Sequence, residues 1–320
     1  MSMVIPDLQN SPPAPSPLAG RDCLTLAEFS SDEISLILDE AFRIRTLQKS
    51  RIPYRPLRGR TLAMVFQKPS NRTRVSFEVG MYQLGGHALH LLPQEIQIGK
   101  RETPSDTGRV LARYIDAIMV RTFDHEEAEE LAEAAEVPVI NGLTDQHHPC
   151  QALADLLTIR EEFGRLEGIN ISYVGDGNNV AHSLALACAL TDANLTIAHP
   201  EGHGPDPMIL ELANSLGATP ILTEDPREAI SGARVVYTDV WASMGQEDEA
   251  GERRKRFAPY QVNEDLMALA GDDAIFLHCL PAHRGEEVTA GVIDGPASRV
   301  FDQAENRLHA QKALLYLLLG

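Results

Sequence analysis

The stretch TLAMVFQKPSNRTRVSFEVGMYQL, Thr61–Leu84, holds a short apolar run, a polar turn and a helix-like segment in that order. Thr61–Phe66 reads as a buried strand and Asn71–Leu84 as the helix after it. The alternation continues outward. Further apolar runs lie at Ala88–Leu92, Ala117–Arg121 and Pro138–Asn141. A second series follows at Asn170–Gly175, Leu195–Ala198, Thr219–Leu222, Val235–Thr238 and Ala274–His278. Helix-like segments such as Glu126–Ala135, Ala181–Leu190 and Met208–Leu216 separate them. This pattern predicts an α/β protein of two domains, each a parallel sheet flanked by helices. Short, wholly apolar strands suit sheets buried on both faces. Leu26–Leu47 has helical spacing, with Ser30 or Ser31 as its cap. Gln151–Phe163 reads as the helix joining the two series, and His309–Leu319 as a terminal helix packing back on the first domain. The expected boundaries are a Pro-rich disordered tail over 1–20, a first domain over 21–150 with 305–320, and a second over 151–304.

Composition narrows the function. A chain of 320 residues with 43% hydrophobic and 23% charged residues is ordinary for a globular protein with aliphatic cores. A formal net charge of -18 disfavours nucleic acid and anionic membranes, which call for clustered Lys and Arg. An anionic substrate would need a local positive site built against that field. The four cysteines, Cys23, Cys150, Cys188 and Cys279, are scattered. A disulfide framework or zinc site is not expected, and a reducing, cytoplasmic location is. The N-terminus lacks the features of a signal peptide or mitochondrial presequence, and no apolar run reaches the ~18 residues of a membrane span. Gln246–Arg256 is charge-dense and reads as an exposed loop or helix turn.

Ligands bind parallel sheets outside the carboxyl ends of the strands. There the sequence places QKPSNRTR after Phe66, Arg121-Thr122 after Val120, NGLTDQHHPCQ after Ile140, GDGNN after Val174, DVWASMG after Thr238 and HCLPAH after Leu277. Ser70–Thr73 opens a helix, whose free N–H groups attract an anion. The same residues also read as a plain cap with solvated arginines. His148 and Gln151, three apart at a helix start, can donate to a carbonyl and contact an amide, or sit in a surface turn. Metal binding there lacks an acidic partner at ligand spacing. Gly175-Asp176-Gly177 begins like a dinucleotide fingerprint, but Val180 stands where the third glycine belongs. An NAD-dependent oxidoreductase is therefore the remote alternative. Asp239 at a strand end can pair with an ammonium. Cys279 reads as a packed small residue or a reactive one.

Together SNRTRVSFEVGMYQLGG, HPCQALAD, GDGNN, DVWASMGQE, HCLP and AENR, in that order, resemble the aspartate/ornithine carbamoyltransferase family from about residue 22 to 320. DVWASMG and HCLP resemble its ornithine branch. The resemblance implies transfer of the carbamoyl group of carbamoyl phosphate to the side-chain amine of L-ornithine, giving L-citrulline and phosphate in arginine metabolism. Another amine such as putrescine is the alternative acceptor. It implies that Ser70, Asn71, Arg72 and Thr73 hold the phosphate and that Arg121 contacts phosphate and carbonyl oxygens. His148 and Gln151 would orient the carbamoyl group, and Gln97 would reach it across a subunit boundary. Asn179, Asp239, Ser243 and Met244 would bind ornithine, Cys279 and Leu280 would border the reacting centre, and Arg307 would close on carbamoyl phosphate. Arg121, His148, Asp239 and Cys279 form the implied catalytic set. It implies no cofactor or metal, and a homotrimer with sites at subunit interfaces. Asn71 and Gln67 depart from the family's usual Thr and Glu.

Amine attack builds negative charge on the carbamoyl oxygen, for which Arg121, His148 and Thr73 are the expected donors. An amine with a pKa near ~10.4 must first lose a proton. Asp239 and Cys279 are expected to orient it and help shed that proton, with the leaving phosphate as final acceptor.

Overall fold

The computed structural model describes residues 16–92, 96, 102–242 and 250–320, which fall into two units. One holds the described chain up to Leu24 with Ser35–Thr144 and Leu308–Gly320. The other holds Thr25–Ile34 and Asp145–Arg307. Residues 1–15 of the expected tail lie outside the described residues, as do Gln97, Ser243 and Met244.

The first unit runs α1 (Ser31–Lys49, in this unit from Ser35), β1 (Thr61–Phe66), α2 (Asn71–Leu84), β2 (His87–Leu91), α3 (Pro104–Leu111), β3 (Ala117–Arg121), α4 (His125–Ala134) and β4 (Val139–Leu143). Ser30 precedes α1 in a reciprocal cap: Glu33 N–H donates to its Oγ at 3.3 Å, and its own N–H donates to Glu33 Oε2 at 2.8 Å. The sheet is four-stranded and parallel, in the order β2-β1-β3-β4. Central β1 and β3 are buried almost throughout, while edge strand β2 is half-exposed. Ala63, Val65, Ile118 and Val120 share a core with Ala128 and Leu131 of α4. Burying each larger aliphatic side chain contributes about 1.5–3 kcal/mol.

Leu308–Gly320 packs back on this unit, as the sequence predicts. Lys312 is buried and its ammonium donates to Gln83 Oε1 at 2.9 Å and to Gln48 Oε1. Leu18 is fully buried, and Gly20 N–H donates to Leu318 O at 3.0 Å. Leu18 and Gly20, inside the segment expected to be a disordered tail, are therefore packed on the fold.

The second unit runs α5 (Pro149–Phe163), β5 (Asn170–Val174), α6 (Asn179–Ala189), β6 (Asn194–Ala198), α7 (Pro207–Leu216), β7 (Ile221–Thr223), α8 (Pro226–Ile230), β8 (Val235–Thr238), α9 (Ala250–Phe257), α10 (Glu264–Met267), β9 (Ile275–His278), α11 (Ala290–Ile293) and the start of α12 (Val300–Leu319). Its sheet is five-stranded and parallel, in the order β7-β6-β5-β8-β9. Val174, Val236 and Phe276 share a core with Ile230, Leu266, Val292 and Val300.

Three further expectations are corrected. The last helix begins at Val300, well before His309, because Gln303, Asn306 and Arg307 on its polar first half are themselves buried. In the charge-dense stretch, Arg253 is buried at 7% exposure rather than solvated. The contact boundary also places Asp145–Cys150 in the second unit.

Candidate active site

In each sheet the strand order reverses direction once: between β1 and β3 in the first, and between β5 and β8 in the second. The loops leaving the two strands at such a point diverge to opposite faces and open a crevice for ligand. Four of the six polar segments singled out in the sequence leave those strands, while those after Ile140 and Leu277 leave β4 and β9.

In the first unit, Phe66 pairs with Arg121 in register, and the N–H of Gln67 donates to Arg121 O at 2.8 Å. Arg121 thus sits beside the loop that opens α2, at 5% exposure. Ser70 caps α2: Thr73 N–H donates to its Oγ at 3.2 Å, and Ser70 Oγ donates to Thr73 Oγ1 at 3.1 Å. Thr73 is fully buried while Asn71 and Arg72 are exposed. Gly142 on β4 leaves room for Met119 of β3: a Cβ there would lie 2.5 Å from Met119 Sδ, while Thr73 Cγ2, at 3.4 Å, would be in ordinary contact. A helix start, hydroxyls and an arginine at a switch point are groups that can hold an anion. Lys68, which sequence reading passed over, is buried with its ammonium 4.1 Å from the centroid of the Phe123 ring. Gln67, one of the two departures, donates to Glu127 Oε2 at 2.9 Å.

In the second unit, Asp239 follows β8 and is buried at 5% exposure. Asn178 Nδ2 donates to its Oδ2 at 2.8 Å, and Cys279 Sγ donates to its Oδ1 at 2.9 Å. Asn178 Oδ1 caps α6, accepting from the N–H of Val180 and Ala181. Asn178 and Cys279 thus each take one oxygen of Asp239. Asn179 is half-buried at the first position of α6. Loss of solvation, reinforced by Asp239, pushes the Cys279 thiol well above its ordinary range. It stays a protonated donor at neutral pH. Leu280, next in the chain, has φ 58, and its N–H donates to His278 Nδ1 at 2.8 Å.

Asp176 of the glycine turn is lifted above the usual carboxylate range by burial, opposed chiefly by Arg253, whose Nη2 donates to it at 2.5 Å. Arg253 also donates to Trp241 O and lies 5.1 Å from the centroid of the Phe257 ring. This anchor went unread in the sequence because a run of charges normally marks solvated surface.

His148 and Gln151 stand at the start of α5, at 4% and 1% exposure. The His148 N–H donates to Ser183 Oγ at 2.7 Å. Arg307 Nη1 donates to Gln151 Oε1 at 3.2 Å, so the structure brings these two expected residues together. Gln151 Nε2 donates to Asp155 Oδ1 at 2.8 Å. Asp155, four residues on in HPCQALAD, is fully buried, and burial pushes its carboxyl up to about 7. Its spacing from Gln151, one helical turn, was the available signal.

Two groups among the described residues have potential ligand atoms within 4.8 Å of one another: Asp239, His278 and Cys279, and His283, Glu286 and Glu287. In the first, Cys279 donates to Asp239, and His278 takes the Leu280 N–H and meets Glu287 Oε1 at 3.2 Å. In the second, Glu286 pairs with Arg254 at 2.8 Å. These donor sets are already engaged within the protein.

Parallel α/β units with polar groups gathered at the switch points define an enzyme-like small-molecule site. Residues 21–161 match the carbamoyl-P binding domain of aspartate/ornithine carbamoyltransferase, and residues 167–318 its Asp/Orn binding domain. The chain belongs to the aspartate/ornithine carbamoyltransferase family. It is 60% identical over 306 residues to an ornithine carbamoyltransferase of Anoxybacillus flavithermus, covering 94% of this chain and 98% of the relative. It is 57% identical to one of Pyrococcus furiosus named as anabolic, over 95% of this chain and 98% of that one. The ornithine carbamoyltransferase structure from Pyrococcus furiosus matches with TM-score 0.93 at 56% identity, covering 96% of this chain and 99% of that one. The Thermus thermophilus structure matches with TM-score 0.84 at 45% identity, over 93% and 99%.

Proposed function

We propose that the protein transfers the carbamoyl group of carbamoyl phosphate to the side-chain amine of L-ornithine, giving L-citrulline and phosphate. The observation that carries this reading is the pair of switch-point sites. One is an anion site at the start of α2 beside Arg121. The other is a buried Asp239 held by Asn178 and Cys279. In this reading Ser70, Asn71, Arg72 and Thr73 hold the phosphate, and Arg121 and His148 stabilise charge on the carbamoyl oxygen. Gln151, Arg307, Gln97 and Leu280 complete the carbamoyl phosphate contacts. Asn179, Asp239, Ser243 and Met244 hold ornithine.

The ornithine ammonium first releases one proton to solvent; the neutral amine then forms the new C–N bond as the bond from carbamoyl carbon to phosphate oxygen breaks, and its second proton ends on the departing phosphate. Asp239 attracts and orients the ammonium. The raised thiol of Cys279 makes it a hydrogen-bond donor that steadies Asp239 rather than a base. Among the described residues no helix is long and apolar enough to cross a membrane. A cytoplasmic homotrimer with sites at subunit interfaces, working in arginine biosynthesis, is the finer form of the proposal. Its biosynthetic direction draws support from the relative named as anabolic.

Incubating the protein with carbamoyl phosphate and, in parallel, ornithine, putrescine, acetylornithine and aspartate tests the reading. Citrulline from ornithine should dominate. A faster reaction with another amine would sink the ornithine assignment, and no product with any acceptor would sink carbamoyl transfer.

A further inference from the structure

A chain of buried side chains runs from the end of β9 to Gln151, and its polarity is set at both ends. The backbone N–H of His278 can only donate, and it donates to Gln303 Oε1 at 2.9 Å. The other end of that amide, Gln303 Nε2, therefore donates. It reaches Asp155 Oδ1 at 2.7 Å and the Tyr237 hydroxyl at 3.1 Å. Asp155 Oδ1 is thus an acceptor. The end of Gln151 that meets it at 2.8 Å must be the donating Nε2. Gln151 Oε1 then faces Arg307, whose Nη1 donates to it at 3.2 Å. A guanidinium has no acceptor, so the far end of the chain agrees with the near end. Gln151, Asp155, Tyr237, Gln303 and Arg307 are all buried to 4% exposure or less.

A glutamine amide has nearly the same shape in either orientation, so shape alone does not choose between them. We infer that Asp155 is a positioning residue that holds the Gln151 amide with its oxygen toward Arg307, so that Gln151 offers carbamoyl phosphate an acceptor and not a donor. This rests on the carbamoyl-transfer reading above. An acceptor at that place suits the amino group of the carbamoyl moiety, which a methyl group cannot replace. The low dielectric of a buried network makes a wrongly turned amide costly, because donor would face donor at Arg307. Asp155 Oδ2 is buried and has no hydrogen-bond partner among the described residues. A single oxygen therefore collects both amides.

The experiment compares wild type, Asp155→Leu and Asp155→Asn, each also with Gln151→Ala, after circular dichroism has verified folding. The readouts are KM for carbamoyl phosphate and the inhibition constant of acetyl phosphate, in which methyl replaces the amino group. Asp155→Leu should raise KM for carbamoyl phosphate about tenfold, the loss of one well-placed hydrogen bond to substrate. It should leave acetyl phosphate inhibition within about twofold. Asp155→Asn keeps an acceptor and should recover most of the loss. In the Gln151→Ala background Asp155→Leu should add almost nothing, since the two act as one unit. If Asp155→Leu does not fold, Gln303→Met breaks the same chain one link away and should split the two constants likewise. Equal shifts in both constants, or additive effects with Gln151→Ala, would mean Asp155 merely supports the fold and would overturn the inference. A folded Asp155→Leu with wild-type constants would overturn it too. A wild type that makes no citrulline fails at an earlier step and overturns the carbamoyl-transfer reading and this inference together.

Discussion

At Cys279 the chemistry turns on which atom holds the proton. Its Sγ donates to Asp239 Oδ1, and lost solvation keeps the thiol protonated well above its ordinary range. Cys279→Ser preserves a donor at the same place. It should leave the shape of the pH–rate profile unchanged between about pH 6 and 9, with a modest fall in kcat. Disappearance of an alkaline limb in that variant would show that a thiolate takes part. Arg72 presents the opposite case, an exposed side chain on a helix start, which the proposal assigns to the phosphate. Arg72→Ala should raise KM for carbamoyl phosphate about ten- to hundredfold, the value of one charge-assisted hydrogen bond. Stability should move by less than about 0.5 kcal/mol, as for most surface changes. Initial-rate kinetics and thermal unfolding read the two separately. Unchanged KM would remove Arg72 from the phosphate site.

Among the elements, the turn after β5 is tightly constrained. A Cβ on Gly177 would lie 2.2 Å from Gly204 C and from Pro205 N. Both are backbone atoms, so the turn itself would have to shift. Gly177→Ala should destabilise the protein by about 1–3 kcal/mol, as overpacking commonly does. It should also raise KM for ornithine, because neighbouring Asn178 holds Asp239. Wild-type KM with lowered stability would separate the turn's packing from its role in the site. Strand positions were legible in the sequence because sheets buried on both faces demand short apolar runs: Thr61–Phe66, Ala117–Arg121 and Val235–Thr238 are strands at those same bounds. Pro104–Leu111 was not read as a helix, although Thr103 caps it and Pro104 stands at its first turn, a recognisable start signal. Its length falls short of the window of about 11 residues over which helical periodicity is read.

For the whole molecule, Asp155 links folding to pH. Burial pushes its carboxyl from 3.8 up to about 7. Between those values the folded chain holds a proton that the unfolded chain has released. The group's contribution is therefore fully present below the unfolded pKa and is lost as pH rises through about 7. Asp155→Asn removes this dependence. Its stability relative to wild type should climb between about pH 4 and pH 8, by at most roughly 4 kcal/mol. Urea unfolding across that range measures it, and a difference independent of pH would place Asp155 in a better-solvated environment than the fold indicates.

By itself the sequence determined the alternation of strand and helix, the presence of two parallel sheets, and the polar segments that end the strands. Those features follow from local periodicity and from the burial of both sheet faces. The tertiary structure decided which strands are neighbours, and so where each sheet's order reverses. It also decided that Asn178 and Cys279 hold Asp239, that Arg253 is buried against Asp176, and that the last helix starts at Val300. The Asp155–Gln303 chain joins residues 148 apart in sequence. Neighbour relations of that kind arise from packing over long separations, where no local pattern of residue types carries the information.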